Sequence, residues 1–338
     1  MKLNTIVISL IPFLGQAAIA EALAPANFQY DNPIVVQRAD PFIHRHQDSG
    51  CYTFIGTSPK FDSIELRQAC RLNDLKIAPP KVIWEKNSFG PLSANIWAPE
   101  LHRIDNAWYI HFAAGEVERP FHIRMFVLKN THADPMQGEW TNLGQIETPW
   151  DSFSLDATTF HHQGKRYLVW AQKNREDTYN SALWMAEMDS PTSIVGEPIQ
   201  LTKPEFDWEI QGYKVNEGAA VIIRNNKVFI TYSASATDHR YAMGLLWADI
   251  NSDLMNPTSW HKLEQPVFET NEQLNRYGPG HNSFVKAEDG ITDLLVYHSR
   301  DYKTLRGTPL TDPNRHARVR VIGWDDQGMP IFYPHKSD

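Results

Sequence analysis

The stretch LDATTFHHQGKRYLVWAQ, residues 155–172, follows a plan that recurs along the chain. A polar residue, Asp156, opens a short β-branched run. A polar turn follows at Gln163, Gly164 and Lys165, and then an apolar-aromatic run, YLVWAQ. Four other segments share the plan: ADPFIHRHQDSGCYTFIGTS (39–58), APELHRIDNAWYIHFAA (98–114), NEGAAVIIRNNKVFITYSAS (216–235) and GHNSFVKAEDGITDLLVYHSR (280–300). Short β-branched and aromatic runs bounded by turn residues read as strands. No long stretch has helical period, so the class is all-β. The opening residues Asp40, Glu100, Asp156, Glu217 and His281 recur about every sixty residues, and strand-rich repeats at a fixed period are the mark of a propeller. The expected fold is a five-bladed β-propeller.

The plan also says which residues meet. The first strand of each propeller blade lines the central channel, so its opening residue stands at one mouth. Connections arriving from the previous blade open there, as do the loops leaving each second strand. Trp97 and Tyr213 are expected on arriving connections, and Asn180, Arg300 and Tyr302 on second-strand exits. Asp40 precedes Pro41, which disfavours helical backbone for the residue before it, so Asp40 is expected to be held extended.

Composition narrows the function. The chain has 338 residues and a formal charge of −8, with its lysines and arginines scattered. Nucleic-acid binding calls for a clustered basic footprint, so that class is excluded. Eleven tryptophans and twelve tyrosines suit both a core and stacking on sugar rings. Residues 1–20, MKLNTIVISLIPFLGQAAIA, have an early lysine, an apolar run and a small-residue end, the plan of a secretion signal. The apolar run is shorter than the ~20 residues a bilayer span needs. The protein is therefore expected to be secreted and extracellular, with residues 21–338 forming a single propeller that acts as a monomer. Cys51 and Cys70 flank a turn near Pro59 and would face each other across a hairpin, which in a secreted chain predicts a disulfide. His44, His46, His161 and His162 are expected on solvated turns.

Four of the five opening residues are carboxylic acids. Gathering like charges raises the pKa of at least one, a condition suited to metal coordination or to acid–base work by separated carboxyls. Glycoside hydrolysis uses the second arrangement.

RADPF (38–42), LDATTF (155–160) and NEGAAV (216–221) resemble the three catalytic blocks of glycoside hydrolase family 43. IWAPEL (96–101) and GPGHNSF (278–284) resemble two further blocks in the same order, so the likeness covers essentially the whole chain after the leader. The resemblance implies a propeller that hydrolyses furanosides or xylosides with inversion. Asp40 would be the general base, Glu217 the general acid, and Asp156 the residue that tunes Glu217 and orients the sugar. Inversion would set the Asp40 and Glu217 carboxyls about 6.5–9.5 Å apart. His281 matches an axial histidine beside a water-bound ion, Ca²⁺ or another, while the chemistry itself needs no cofactor. Arg300 resembles an arginine that contacts sugar hydroxyls, and Tyr302 lies beside it. Glu100 reads as structural.

RADPFIHRH, SANIWAPELH and YKVNEGAAV most resemble the exo-acting α-L-arabinofuranosidase branch, with arabinan, arabinoxylan or arabino-oligosaccharides as substrates. Tyr213 and Asn180 would wall off one end of the groove. Endo-arabinanase and β-xylosidase activity stay open within the family. A non-catalytic carbohydrate-binding propeller is the alternative outside it.

Overall fold

A computed structural model describes residues 28–174 and 178–332. The expected secretion signal lies outside the described residues.

Blade 1 comprises β1 (Ala39–Arg45), β2 (Tyr52–Thr57), β3 (Ser63–Ala69) and β4 (Lys81–Glu85). Blade 2 comprises β5 (Pro91–Ile104), β6 (Ala107–Glu116), β7 (Arg119–Asn130) and β8 (Thr141–Gln145). Blade 3 comprises β9 (Ser154–His162), β10 (Lys165–Gln172), β11 (Ala182–Ser190) and β12 (Ser193–Thr202). Blade 4 comprises β13 (Asn216–Arg224), β14 (Lys227–Ala234), β15 (Ala242–Asp249) and β16 (His261–Lys262). Blade 5 comprises β17 (Tyr277–Lys286), β18 (Asp293–Arg300) and β19 (His316–Val321), and a small hairpin follows, β20 (Gly323–Trp324) with β21 (Pro330–Ile331). Each blade is an antiparallel meander whose strands pair in chain order, so the expected five-bladed propeller is the fold found.

The apolar character of the second strands has a packing reason. Every blade is sandwiched between two neighbours, so both faces of its inner strands are covered. YTFIGT of β2 and DLLVYHSR of β18 are buried along their whole length, and an apolar stretch such as LLVY (294–297) is how a strand covered on both faces reads. The outer strand β4 is half-buried or exposed throughout. One apolar cluster joins Val169 and Met185 of blade 3 to Ile230 and Leu246 of blade 4; another joins blade 5 to blade 1. Trp170 is fully buried and donates its indole hydrogen to Gln172 Oε1 at 2.7 Å, so truncation to Ala would cost about 3–5 kcal/mol.

The ring is closed by the two ends of the chain. Ile34 N donates to Ala317 O at 2.9 Å and Ala317 N to Val35 O at 2.9 Å, so the segment before β1 pairs with β19. The Asn32 side chain continues the ladder, giving Nδ2–H to Val319 O and accepting from Val319 N. Cys51 and Cys70 form the expected disulfide across the β2–β3 hairpin, where Tyr52 faces Ala69.

The histidine expectation holds only in part. His161 is exposed. His162 is buried and bonds Ile250 O at 2.8 Å, and His44 and His46 pack edge-on against Trp108, because both residues lie on or beside strands covered by blade 2.

Candidate active site

Each first strand breaks its ladder near its start. Register shifts fall between Ala39 and Phe42, between Trp97 and Glu100, between Glu217 and Ala220, and between Gly280 and Ser283. Blade 3 shifts opposite Val169 and Ala171, between Leu155 and Thr158. Each break holds one residue with positive φ: Asp40 (52°), Ala98 (45°), Asp156 (58°), Gly218 (59°) and His281 (40°). This corrects two expectations. Asp40 is left-handed rather than extended, because at a bulge the tertiary contacts of its backbone outweigh the preference imposed by Pro41. The position repeated in blades 2 and 4 is Ala98 and Gly218, not Glu100 and Glu217.

The bulges have a common purpose. A bulged residue is released from its own ladder, and in four blades its N–H turns to the preceding blade. Ala98 N donates to Thr57 Oγ1 (2.7 Å), Gly218 N to Asp156 Oδ2 (2.9 Å), His281 N to Ser233 Oγ (2.8 Å) and Asp40 N to His298 Nδ1 (3.1 Å). Neighbouring blades are thus stitched around the axis, and the polar side chains at the bulges are aimed into it.

A cavity of about 490 Å³ opens there, lined from all five blades. Asp40, Asp156, Glu217, Trp97, Asn180, Tyr213 and His281 all line it, as expected of them. Arg300 and Tyr302 do not. The Arg300 guanidinium is buried, donating to the carbonyls of Thr237 (2.8 Å), Pro309 (3.3 Å) and Asp312 (3.4 Å). Tyr302 donates its hydroxyl to Asp312 Oδ1 at 2.8 Å. Both brace the loop that brings Thr308, Pro309, Leu310 and Arg315 to the cavity.

The three carboxyls have different environments. Asp40 Oδ2 accepts from Thr57 Oγ1 at 2.6 Å, while Oδ1 lies 3.3 Å from both Arg315 Nη1 and His281 Nδ1. Burial alone would raise its pKa; the Arg315 guanidinium, then His281, outweigh it and hold Asp40 well below the usual carboxylate range. His298 also lies 3.5 Å from Asp40 Oδ1, but it is no ion-pair partner. Its Nδ1 already accepts the Asp40 N–H, and burial holds the imidazole neutral.

Glu217 stands opposite in character. Burial, then the Asp156 charge, push it up to about 8, against a lowering hydrogen bond from Tyr241 OH to Oε1 at 2.9 Å. Burial keeps Tyr241 protonated and so a donor. Asp156 is itself raised by burial and by Asp40, with the Gly218 N–H opposing. The one cavity therefore favours an ionised Asp40 and a protonated Glu217 near neutral pH, with Asp156 raising Glu217.

Glu100 is deeper and does not line the cavity; its Oε2 lies 2.9 Å from His102 Nε2. Burial pushes Glu100 up to about 8 and His102 down to about 3, so the contact is a hydrogen bond between neutral groups. The ion expected beside His281 finds no supporting ligand set. His281 Nδ1 is turned to Asp40 and, at 3.8 Å, to Asp156. Among the described residues no three His, Cys, Asp or Glu side chains are grouped to hold a metal.

Sequence reading missed Tyr241, Phe121 and Arg315. A signal existed for the first two. Second-strand exits open on the active face; Tyr241 sits on the exit of β14 as Asn180 sits on that of β10, and Phe121 lies at the start of β7, just past the exit of β6.

A propeller whose axial cavity sets an ionised carboxylate against a protonated one is a class built for acid–base chemistry. The chain belongs to the glycosyl hydrolases family 43, whose sequence model matches residues 30–330. It is 48% identical over 334 residues to an extracellular exo-α-(1→5)-L-arabinofuranosidase of Streptomyces avermitilis, covering 98% of this chain and 69% of that protein. It is 51% identical to a protein of the same description from Streptomyces chartreusis, covering 85% and 87%. α-L-Arabinofuranosidase 43 of Humicola insolens is 50% identical, with 92% of this chain covering 64% of that one. Among solved structures, an α-L-arabinofuranosidase from Lactobacillus brevis superposes with a TM-score of 0.88 at 49% identity, covering 91% of this chain and 98% of that one.

Proposed function

We propose that the protein is a secreted exo-acting α-L-arabinofuranosidase that releases terminal arabinofuranosyl residues from arabinan, arabinoxylan or their oligosaccharides with inversion. The observation that carries the reading is the opposed proton affinity of Asp40 and Glu217 in one cavity. Asp40, kept ionised by Arg315, takes a proton from water as its oxygen attacks the anomeric carbon. Glu217, kept protonated, gives its proton to the glycosidic oxygen as the C–O bond breaks. Tyr241 occupies Glu217 Oε1, which leaves the other oxygen to carry the transferable proton. Asp156 keeps the proton affinity of Glu217 high, and solvent exchange then restores both carboxyls. Water and carboxyls suffice, so no cofactor is called for.

The names of the relatives support arabinose as the sugar and an extracellular site of action. Among the described residues no helix is long and apolar enough to cross a membrane. Walls drawn from all five blades favour a pocket for a chain end over an open groove, which supports exo action. Glu217→Gln should abolish turnover of a chromogenic α-L-arabinofuranoside while ligand binding persists, and unchanged turnover would sink the assignment. Debranched arabinan should yield arabinose alone; mixed oligosaccharides would overturn exo action.

A further inference from the structure

Two large side chains at the cavity, Phe121 and Tyr213, are left open to solvent. Phe121 lines the cavity yet is 63% exposed. It follows the β6–β7 turn, and that turn is braced. Glu116 pairs with Arg119 at 2.8 Å and with His122 at 3.1 Å, and Asn95 Nδ2 donates to Pro120 O at 2.7 Å. The chain passes so closely that a Cβ on Gly115 would lie 2.4 Å from Pro120 O. Behind Phe121 stands Trp97, with ring centroids 6.4 Å apart and planes inclined at 58°. Behind Trp97 stands Phe61, edge-on at 5.9 Å and 86°. Phe61 holds a φ of 55°, a conformation bulky residues seldom adopt, so the backbone is constrained to keep this ring against the indole. The three rings form a continuous row of contacts, and Phe121 is the most exposed of them.

Burial gives the row a direction. Asp40, Asp156 and His281 are buried at the floor, whereas Phe121 and Tyr213, the latter 56% exposed, stand at the rim. A terminal sugar seated on the floor would place the remainder of its chain against the rim. We propose that Phe121 is a stacking platform for the leaving-group sugar, so that the site selects arabino-oligosaccharides over arabinosides with a small leaving group. This rests on the arabinofuranosidase reading above. The C–H face of a sugar is apolar, and covering an exposed aromatic ring with it removes apolar surface from water. That binding energy is available only to a substrate with a second sugar.

The test compares α-(1→5)-arabinotriose with α-L-arabinofuranosyl fluoride, whose leaving group offers nothing to stack. Phe121→Ala should lower kcat/KM on the triose about tenfold and leave the fluoride within about twofold. Phe121→Tyr, which keeps the ring, should restore the triose. An equal loss on both substrates would make Phe121 part of the inner pocket or of the fold, and no loss on either would show an idle ring; both results overturn the proposal. Failure of the unsubstituted protein to cleave the fluoride would instead overturn the arabinofuranosidase reading on which the proposal stands.

Discussion

The Tyr241 ring is stacked parallel and offset beside the His298 imidazole, centroids 5.8 Å apart and planes 6° from parallel. Each end of the stack holds one carboxyl residue: Tyr241 OH donates to Glu217 Oε1, and His298 Nδ1 accepts the Asp40 N–H. Two residues from different blades are thus spaced by a rigid pair of rings, and Gly280 makes room for it, since a Cβ there would meet Tyr241 Cε1 at 2.5 Å.

Tyr241→Phe keeps the stack and removes only the hydrogen bond. That bond favours ionised Glu217, so its loss should raise the Glu217 pKa above about 8 and move the alkaline limb of kcat/KM to higher pH. Loss of orientation should lower kcat roughly tenfold. A pH–rate profile checks both, and an alkaline limb that stays put or moves down would contradict the role given to Tyr241.

Arg315→Met removes the cation that chiefly keeps Asp40 ionised. Burial is then unopposed by its strongest partner, so the Asp40 pKa should rise and an acid limb should appear at higher pH. The loss should be concentrated at the acid end of the profile and be small at pH 7, because a raised pKa protonates the base only at pH values near or below it. Profiles of kcat/KM for both proteins decide it; parallel loss at every pH would show that Arg315 acts on the substrate and not on the base.

Gly218→Ala sets a Cβ 2.9 Å from His281 Cγ at a backbone φ of 59°. Strain and displacement of His281 together should cost about 1–3 kcal/mol of stability. Because Gly218 N also holds Asp156, activity should fall further than stability. Thermal unfolding alongside turnover measures the two effects, and an unchanged melting temperature would refute the close-packing argument.

Much of this was legible beforehand. The polar residue, strand, turn and aromatic strand of residues 155–172 recur because each blade needs the same inner pair, and a strand covered on both faces is largely apolar. Asp40, Asp156, Glu217 and His281 could be gathered because a propeller turns sequence periodicity into a shared axis. Asn180 and Tyr213 followed from which connections open on that face, whereas Trp97, expected on an arriving connection, lies within β5. Arg300 misled because it was read by its place on a strand exit, whereas carbonyls of its own and the neighbouring blade claim its guanidinium.

By itself the sequence determined the repeat, the all-β class, the order of the blades and the set of acids placed on the axis, since these depend on local pattern and its period. The tertiary structure decided which acid is ionised. Asp40 and Glu217 differ because Arg315, far away in the chain, holds Asp40 down, while burial and Asp156 of the preceding blade push Glu217 up. It also decided the backbone at Asp40, where Pro41 argues for extension and a hydrogen bond to His298 of the last blade prevails. Proton affinity and bulge geometry arise from neighbours across the axis, and no local stretch of sequence contains them.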